Sequence, residues 1–241
     1  MKVKGRVIVV TGGGNGIGRE VVLELLRRGA WVAAADIRPE SLAETESLAG
    51  VGDRLATFAL DITDRTATQA FPSLVNQEVG AVDGVVNVAG IIQPFVPIND
   101  LSYEAIDRVI DVNLYGSIHM TKAFLPILLQ RPEAHIVNVS SMGGFLPVPG
   151  QSIYGATKAA VKLMSEGLYA ELLDTEVGVT VVMPGAVATE ISQNSGVSVE
   201  VDSEQESSFP TTSPEDAAEV IVDGMEAGRL HVYVGRDSLM M

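Results

Sequence analysis

The 241-residue sequence contains no cysteine, which excludes disulfide bonds and any metal site built on thiolates. Its three histidines, His119, His135 and His231, show no ligand spacing, so no metal is expected. Basic residues are also scarce, because 16 lysines and arginines stand against 31 acidic residues and leave a net charge of −15. Nucleic acid is bound through clusters of lysine and arginine, and none is present, so nucleic acid is not an expected partner.

Long hydrophobic runs are missing as well. No stretch approaches the ~18 uninterrupted apolar residues that a membrane span requires, so no membrane partner is expected. The first apolar run begins within a few residues of Met1, which leaves no room for a signal peptide, and we expect a cytoplasmic location. The sequence is still 46% hydrophobic, which is enough for a substantial core.

Short apolar runs alternate with helical patterns along the chain, and no linker rich in Pro, Gly or Ser divides them. This alternation predicts a single doubly wound α/β domain over residues 1–241, with a mainly parallel seven-stranded sheet and helices on both faces. The predicted strands are Arg6–Val10, Trp31–Asp36, Leu55–Leu60, Gly84–Val88, His135–Val139, Gly178–Met183 and Leu230–Val234.

A glycine-rich turn joins the first predicted strand to the first predicted helix. It runs Thr11-Gly12-Gly13-Gly14-Asn15-Gly16-Ile17-Gly18. Glycines tolerate positive φ and allow a ligand to approach the backbone closely. The helix start then offers free N–H groups and a positive dipole end to a pyrophosphate. Strand, glycine turn and helix in this order form the Rossmann fingerprint of dinucleotide binding.

The second predicted strand ends at Asp36, twenty residues after Gly16. A carboxylate at this distance accepts hydrogen bonds from the adenosine ribose hydroxyls. Because a carboxylate repels a 2′-phosphate, Asp36 favours NAD over NADP. Arg38, two residues later, is a flexible cation that weakens this preference, while the uncharged Asn15 offers no help to a 2′-phosphate.

A tyrosine and a lysine stand four residues apart at Tyr154 and Lys158. On a helix these positions share a face, so the ammonium is held close to the phenol. A free phenol has a pKa of about 10, and a desolvated cation beside it lowers that value. Such pairs also occur on solvated helix faces, so the meaning of this one depends on the motifs around it.

Together these motifs resemble those of the short-chain dehydrogenase/reductase family. The resemblance implies an oxidoreductase that interconverts a secondary alcohol and a ketone with NAD, and with NADP as the less favoured coenzyme. Val88 departs from the family, which more often has a second Asn there. The matching pieces, in the family's order between Gly5 and about Thr189, are Thr11-Gly12-x-x-x-Gly16-x-Gly18, Asp61, Asn87-Val88-Ala89-Gly90, Asn113, Ser141, Tyr154-x-x-x-Lys158 and Pro184-Gly185-x-x-x-Thr189.

The resemblance also implies roles for individual residues. Tyr154 is expected to be the general acid in reduction and the base in oxidation, and Ser141, favoured over Ser140 by the family's spacing, to hold the substrate oxygen. Lys158 is expected to lower the tyrosine pKa and bind the nicotinamide ribose, and Asn113 to kink its helix and link Lys158 to solvent through a water. The expected coenzyme contacts are Gly12, Asn15, Gly16, Ile17, Gly18, Asp36, Ile37, Asp61, Ile62, Asn87, Ala89, Gly90, Tyr154, Lys158, Pro184, Gly185, Val187 and Thr189.

Asp61 could instead cap the helix that follows it, without contacting a coenzyme. Thr63 and Asp64 could cap this helix as well. The segment 191–210 is rich in Ser and acidic residues and lacks periodicity, and we expect it to be a substrate lid that closes on coenzyme binding. Mostly apolar residues without Lys or Arg predict a pocket for a neutral, rather hydrophobic alcohol or ketone. These expected pocket walls are Ile92, Gln93, Phe95, Val96, Gly143, Gly144, Phe145 and Leu146.

The last predicted strand is followed by only seven residues, without the glycine-rich tail that often packs across a subunit interface in the family. A homodimer through the helices around Tyr103–Gln130 and Tyr154–Asp174 is therefore expected, with a homotetramer as the alternative. Two other functions stay open. One is an NADPH-preferring carbonyl reductase, and the other is a non-catalytic NAD(H)-binding regulator, against which the complete Asn-Ser-Tyr-Lys set argues.

Overall fold

The computed structural model describes residues 1–50, 52–197 and 211–235. Within these ranges seven strands form one parallel sheet in the order β3-β2-β1-β4-β5-β6-β7. Each predicted strand is present, with its ends shifted by no more than one residue. The strands are β1 (Val7–Thr11), β2 (Trp31–Asp36), β3 (Leu55–Ala59), β4 (Gly84–Asn87), β5 (Ala134–Val139), β6 (Val177–Pro184) and β7 (His231–Val234).

Helices connect the strands. One turn of π-helix, Asp111–Gly116, joins α4 to α5, and short 3-10 turns occupy Gly52–Arg54, Ile98–Asp100 and Met142–Gly144. No helix in the described ranges is both long and apolar enough to cross a membrane. The helices are α1 (Gly16–Arg27), α2 (Pro39–Ala49), α3 (Arg65–Glu78), α4 (Tyr103–Ile110), α5 (Ser117–Leu128), α6 (Ser152–Glu171), α7 (Ile191–Ser195) and α8 (Pro214–Glu226).

The segment 191–210 was expected to be a lid without regular structure. Its first five residues instead form the short helix α7, which ends at Gly196 in the left-handed conformation, with φ of 70°. Residues 198–210 lie outside the described ranges, so the predicted lid stays a prediction.

The sheet is buried on both faces, which explains why its strands read as continuous β-branched runs. In β1, Ile8 and Val10 join a core cluster with apolar residues of α1 and α8. The alternate residues Val7 and Val9 join a second cluster with residues of α3, α5 and α6. The helices therefore cover both faces, as the alternating sequence pattern predicts.

The chain reverses its direction of winding at β1, which lies between β2 and β4. The loops that follow β1 and β4 therefore leave the sheet towards opposite faces and open a crevice at the carboxyl edge. In sheets of this type a ligand binds at such a switch point.

The opposite, amino edge carries a buried ion cluster around Asp83, which is 3% exposed. Its Oδ1 accepts a hydrogen bond from Arg131 Nη2 at 2.7 Å and a longer one from Arg6 Nη1 at 3.3 Å. Its Oδ2 accepts from the Val7 N–H at 3.0 Å. The Asp83 carboxylate thus connects the starts of β1 and β4 to Arg131, which lies between α5 and β5.

Candidate active site

The glycine turn between β1 and α1 lies at the switch point, and its shape requires residues without a side chain. Gly12 has a φ of 71°, and a Cβ there would lie 3.0 Å from the backbone of Ala89. A Cβ on Gly18 would lie 2.0 Å from the Gly12 carbonyl oxygen, so only glycine fits. Asn15 caps α1 by accepting from the Gly16 N–H. The turn and the helix start therefore form a cradle that side chains do not fill, which is what a pyrophosphate requires.

A cleft of about 680 Å³ opens above this turn, formed by the loops after β1 to β4 together with α4 and α7. Its volume lies within the range typical of small-molecule sites. The lining includes these predicted coenzyme contacts: Gly12, Asn15, Gly16, Ile17, Gly18, Asp36, Ile37, Asp61, Ile62, Ala89, Gly90 and Thr189. The cradle, the carboxylate at the end of β2 and this lining together fit a dinucleotide.

Asp36 already has backbone partners at the end of β2. Its Oδ2 accepts from the Gly14 N–H and its Oδ1 from the Arg38 N–H, both at 3.1 Å. The Arg38 guanidinium lies in the cleft lining, with its Nε 4.0 Å from Asp36 Oδ1. Its Nη1 donates to Asn194 Oδ1 of α7 at 2.8 Å. Asp36 therefore shapes the glycine turn, and Arg38 links the end of β2 to α7.

The sequence left open whether Asp61 contacts the coenzyme or caps the following helix, and Asp61 and Asp64 differ in this respect. Asp61 lines the cleft, and its Oδ1 accepts from the N–H and the hydroxyl of Thr63, at 2.8 and 2.7 Å. Asp64 caps α3, since its Oδ1 accepts from the Thr66 and Ala67 N–H groups. The cap is thus Asp64, and Asp61 is available to a ligand.

Some predicted contacts do not line the cleft, because its wall comes from the β1–β4 side of the sheet. Asn87 is buried, and its Nδ2 donates to Asn138 Oδ1 at 2.8 Å, while its Oδ1 has no partner among the described residues. Val187 pairs instead with Thr212. The predicted contacts outside the lining are Asn87, Tyr154, Lys158, Pro184, Gly185 and Val187.

Gly90 is the boundary between the cleft and the predicted catalytic residues. It lines the cleft, and a Cβ on it would lie 3.1 Å from Lys158 Nζ and 3.3 Å from Asn113 Oδ1. The lysine and the asparagine therefore both approach the bare backbone of Gly90 from the far side. A larger residue at this position would displace one of them.

Asn113 lies in the π-helical turn and is fully buried. Its Oδ1 accepts from the Ile91 N–H, and its Nδ2 donates to the Ile91 carbonyl, both at 2.9 Å. The Nδ2 also donates to Thr157 Oγ1 at 3.1 Å. The helix departs from α-helical geometry here, in a π turn, and the predicted kink and water link stay predictions. Such turns are frequent at functional sites.

Lys158 and Tyr154 lie together on α6, with the lysine Nζ 5.9 Å from the tyrosine ring centroid. The ammonium donates to the Val139 carbonyl at 3.0 Å, and burial lowers the pKa of Lys158 to about 8. Burial also raises the pKa of Tyr154, against a smaller lowering by a hydrogen bond with Ser141. In this structure burial dominates, so the net shift of the Tyr154 pKa is upward, and the ammonium donates to Val139. The expected lowering of the tyrosine pKa by Lys158 stays a prediction.

The two serines after β5 have different environments. Ser140 is buried, and its Oγ donates to the Lys158 carbonyl at 2.7 Å. Ser141 Oγ accepts from the Gly143 N–H at 3.0 Å, and a Cβ on Gly143 would lie 3.3 Å from the Tyr154 ring and 3.5 Å from that Oγ. Ser140 therefore fixes α6, and Ser141 is the serine beside the phenol.

Two residues, Thr11 and Arg108, have roles at the site that the sequence did not assign. Thr11 Oγ1 accepts from the Val88 and Ala89 N–H groups at 3.2 and 3.3 Å and so joins β1 to the loop after β4. Arg108 Nη1 donates to the Ser195 carbonyl at 3.1 Å and ties α4 to α7. The position of Thr11 at the end of a strand signals its role, whereas nothing in the local sequence marks Arg108.

Comparisons with known proteins agree with this geometry. A family model described as short chain dehydrogenase matches residues 6–199. SadH of Mycobacterium tuberculosis, named as an oxidoreductase, is 37% identical to this chain over an alignment 246 residues long. The alignment covers 98% of this chain and 88% of that protein.

Solved structures give the same result. A short chain dehydrogenase/reductase from Burkholderia phymatum in complex with NAD superposes with a TM-score of 0.88 at 26% identity, covering 100% of this chain and 92% of the other. The closed form of serine dehydrogenase complexed with NADP⁺ gives a TM-score of 0.84 at 30% identity, covering 95% and 93%.

The fold and the cleft define a dinucleotide-binding oxidoreductase of the α/β class. With the family match over most of its length, the chain belongs to the short-chain dehydrogenase/reductase family and is an NAD(P)-dependent enzyme.

Proposed function

We propose that this protein is a single-domain, NAD-dependent oxidoreductase that interconverts a secondary alcohol and a ketone on a neutral, rather hydrophobic substrate. One arrangement carries the proposal. Lys158 and Asn113 approach Gly90, which itself lines the cleft. Tyr154 lies beside Lys158, with Ser141 next to the phenol. This arrangement brings proton-transfer groups next to a coenzyme site.

Tyr154 is the proposed proton donor and acceptor. When bound, a nicotinamide coenzyme supplies or accepts the hydride. In reduction, the Tyr154 hydroxyl gives its proton to the carbonyl oxygen of the substrate, and in oxidation the phenolate takes the proton of the alcohol. Because burial raises the pKa of Tyr154, the phenol is protonated at neutral pH and ready for the reductive direction.

Ser141 and Lys158 stabilise the charges that this transfer creates. The Ser141 hydroxyl donates a hydrogen bond to the substrate oxygen as negative charge develops there. The Lys158 ammonium offsets the charge of the phenolate left on Tyr154, and it is charged at neutral pH because its pKa is about 8. Asn113 holds the Ile91 backbone beside Lys158 and so keeps the approach to the lysine fixed.

The preference for NAD is proposed from Asp36, whose carboxylate stands at the end of β2 in the cleft lining and repels a 2′-phosphate. One observation favours the rival reading, an NADPH-preferring carbonyl reductase. The Arg38 guanidinium also lines the cleft, close to the same carboxylate, and is a cation that a 2′-phosphate attracts. Values of kcat/KM for the two coenzymes distinguish the readings, and a higher value with NADP would favour the reductase.

The substrate class is proposed from the two loops that follow β4 and β5. Residues 91–99 and 140–151 contain no charged residue. Phe95 and Phe145 are 50% and 38% exposed, and Leu146 is 38% exposed. Exposed apolar side chains without a neighbouring charge favour a neutral, hydrophobic substrate over a carboxylate.

A homodimer or homotetramer is proposed from the exposed apolar residues of α4 to α6. Tyr103 is 81% exposed, Tyr115 is 49% exposed, and Leu163 is 70% exposed. Apolar side chains of this size on neighbouring helices suit a subunit contact. Light scattering measures the state directly. The cytoplasmic location expected from the sequence stays a prediction.

The central test is the substitution Tyr154→Phe, with Tyr233→Phe on the exposed edge of β7 as the matched control. We expect Tyr154→Phe to abolish turnover and to keep NADH binding, measured by coenzyme fluorescence, while the control variant behaves as wild type. Wild-type rates in Tyr154→Phe would show that another group is the acid. Coenzyme binding without turnover of any alcohol or ketone in a broad panel would favour the regulator.

A further inference from the structure

The loop after β4 reaches the start of the catalytic helix through Gln93. This residue was expected to be a pocket wall, but it is only 1% exposed and its amide lies against α6. Its Oε1 accepts from the backbone N–H groups of Ile153 and Tyr154, both at 2.9 Å. Its Nε2 donates to the Gly150 carbonyl at 2.9 Å. Both polar atoms of the amide are therefore bonded to the segment that begins α6.

The start of α6 needs such an acceptor. The first N–H groups of a helix have no partner within the helix, and a side chain at the N-cap usually accepts from the second or third of them. The N-cap residue of α6 is Gln151, whose side chain makes no such bond. Gln93 accepts from those two N–H groups instead, although it stands 60 and 61 residues away in the sequence.

The contact is reciprocal. Gln151 Nε2 donates to the Gln93 carbonyl at 2.8 Å, so each glutamine side chain bonds to the other's segment. The same two segments also pack closely, because a Cβ on Gly150 would lie 3.2 Å from the backbone of Phe95. The substrate-side loops after β4 and β5 and the first turn of α6 are therefore joined into one unit.

We propose that Gln93 is a positioning residue that places Tyr154 for proton transfer, an inference that rests on the proposed function. One of the two N–H groups that it holds belongs to Tyr154 itself. One turn further along, α6 is held a second time, where Ser140 Oγ bonds to the Lys158 carbonyl. Gln93 fixes the tyrosine and Ser140 fixes the lysine. Loss of the first attachment leaves Lys158 in place and lets the phenol shift relative to Ser141.

This arrangement predicts a loss in the chemical step with coenzyme binding intact, because the cleft is lined by other residues. A displacement of about 1 Å in a reacting group can cost on the order of a hundredfold in rate. Gln93→Met removes both hydrogen-bonding atoms at similar volume. Gln93→Glu keeps an oxygen for the two N–H groups, at a helix start where negative charge is favourable, and loses the donation to the Gly150 carbonyl.

The experiment compares kcat, the substrate KM and the NADH dissociation constant in the wild type, Gln93→Met, Gln93→Glu and Tyr154→Phe. Gln77→Met, on the exposed side of α3, is the control for the change of side chain. For Gln93→Met we expect kcat to fall at least about tenfold, while the NADH dissociation constant stays within about twofold of wild type. Gln93→Glu should recover most of this loss, and Gln77→Met should match the wild type.

Other results would overturn the inference. Wild-type kcat in folded Gln93→Met would show that Tyr154 needs no such support, and the proposed function would stand. An equal loss in kcat and in NADH affinity would show a general structural role. Wild-type rates in Tyr154→Phe would remove the proposed function and this inference with it. Should Gln93→Met fail to fold, Gln93→Glu decides, since retained kcat supports the inference and a tenfold loss contradicts it.

Discussion

Asn113 and Thr157 are joined across two helices by a hydrogen bond of 3.1 Å from the asparagine Nδ2 to the threonine Oγ1. Thr157 lies between Tyr154 and Lys158, and its Oγ1 donates to the Tyr154 carbonyl at 2.7 Å. Asn113 also holds both backbone groups of Ile91. The π-helical turn is thus attached to the loop after β4 and to α6 at the same time.

Replacing Asn113 by Leu should lower both stability and rate. The change leaves the partly buried Ile91 N–H and carbonyl without their partner, at a cost of up to about 6 kcal/mol, since a fully buried group of this kind costs roughly 1–3 kcal/mol. We expect kcat to fall at least about tenfold, because the loop beside Lys158 is released. Urea unfolding and steady-state kinetics measure the two effects. Asn76→Leu on the exposed side of α3 is the control, and an unchanged unfolding midpoint in Asn113→Leu would contradict the prediction.

The pH dependence of ketone reduction should reflect Lys158. In the proposed mechanism reduction requires a protonated Tyr154 and a charged Lys158, and burial raises the pKa of the first and lowers that of the second to about 8. As pH rises, the lysine charge is therefore lost before the tyrosine proton. We expect kcat for reduction to be constant below pH 7 and to fall as pH passes about 8. Lys162→Met, one turn further along α6, should keep this profile, and a rate that stays constant up to pH 10 would refute the assignment.

Removing the charge of Asp36 should change the choice of coenzyme. Asp36→Asn retains an oxygen for a backbone N–H group but no longer repels a 2′-phosphate. We expect the ratio of kcat/KM for NAD to that for NADP to fall at least about tenfold, which corresponds to about 1.4 kcal/mol. Asp53→Asn in the exposed turn before β3 is the control. An unchanged ratio in Asp36→Asn would mean that another group sets the preference.

The stability of the protein should depend on pH through His135. This residue is buried, and because Thr180 donates its hydroxyl proton to the Arg229 carbonyl, the histidine Nε2 donates to Thr180 Oγ1 at 2.8 Å. Burial, with a smaller effect of the N-terminal charge, lowers the pKa of His135 to about 4. In the unfolded chain its pKa is about 6.5.

The sign follows from this difference. Between pH 6.5 and 4 the unfolded chain binds a proton that the folded protein does not, so stability is lost as pH falls. His135 should account for a loss of up to about 3 kcal/mol in the free energy of unfolding over this range. Urea unfolding at pH 7 and pH 4.5 measures it. His135→Gln should lack this part of the dependence while His231→Gln keeps it, and equal dependence in wild type and His135→Gln would count against the prediction.

The strands and the glycine turn could be predicted from local sequence because each depends on residues close together in the chain. The β-branched run Val7–Val10 suits a strand buried on both faces, and the glycines that follow tolerate the positive φ that Gly12 adopts. Asp36 is the end of a strand and therefore lies at the carboxyl edge. These features need no information about distant contacts.

The parts that the sequence did not reveal depend on contacts between distant segments. The bonds of Gln93 to the start of α6 join two loops, and its polar side chain was therefore assigned to the pocket. The pKa of Tyr154 depends on how deeply α6 is buried, which the spacing of Tyr154 and Lys158 does not encode. The link from Arg38 to Asn194 joins the end of β2 to a helix near the far end of the chain.

Asp83, Arg6 and Arg131 lie at the amino edge of the sheet, opposite the cleft. This ion cluster shares no residue with the proposed active site. The two properties can consequently be changed independently: thermal resistance by substitutions around Asp83, and substrate range by substitutions of exposed apolar residues such as Phe95 and Phe145.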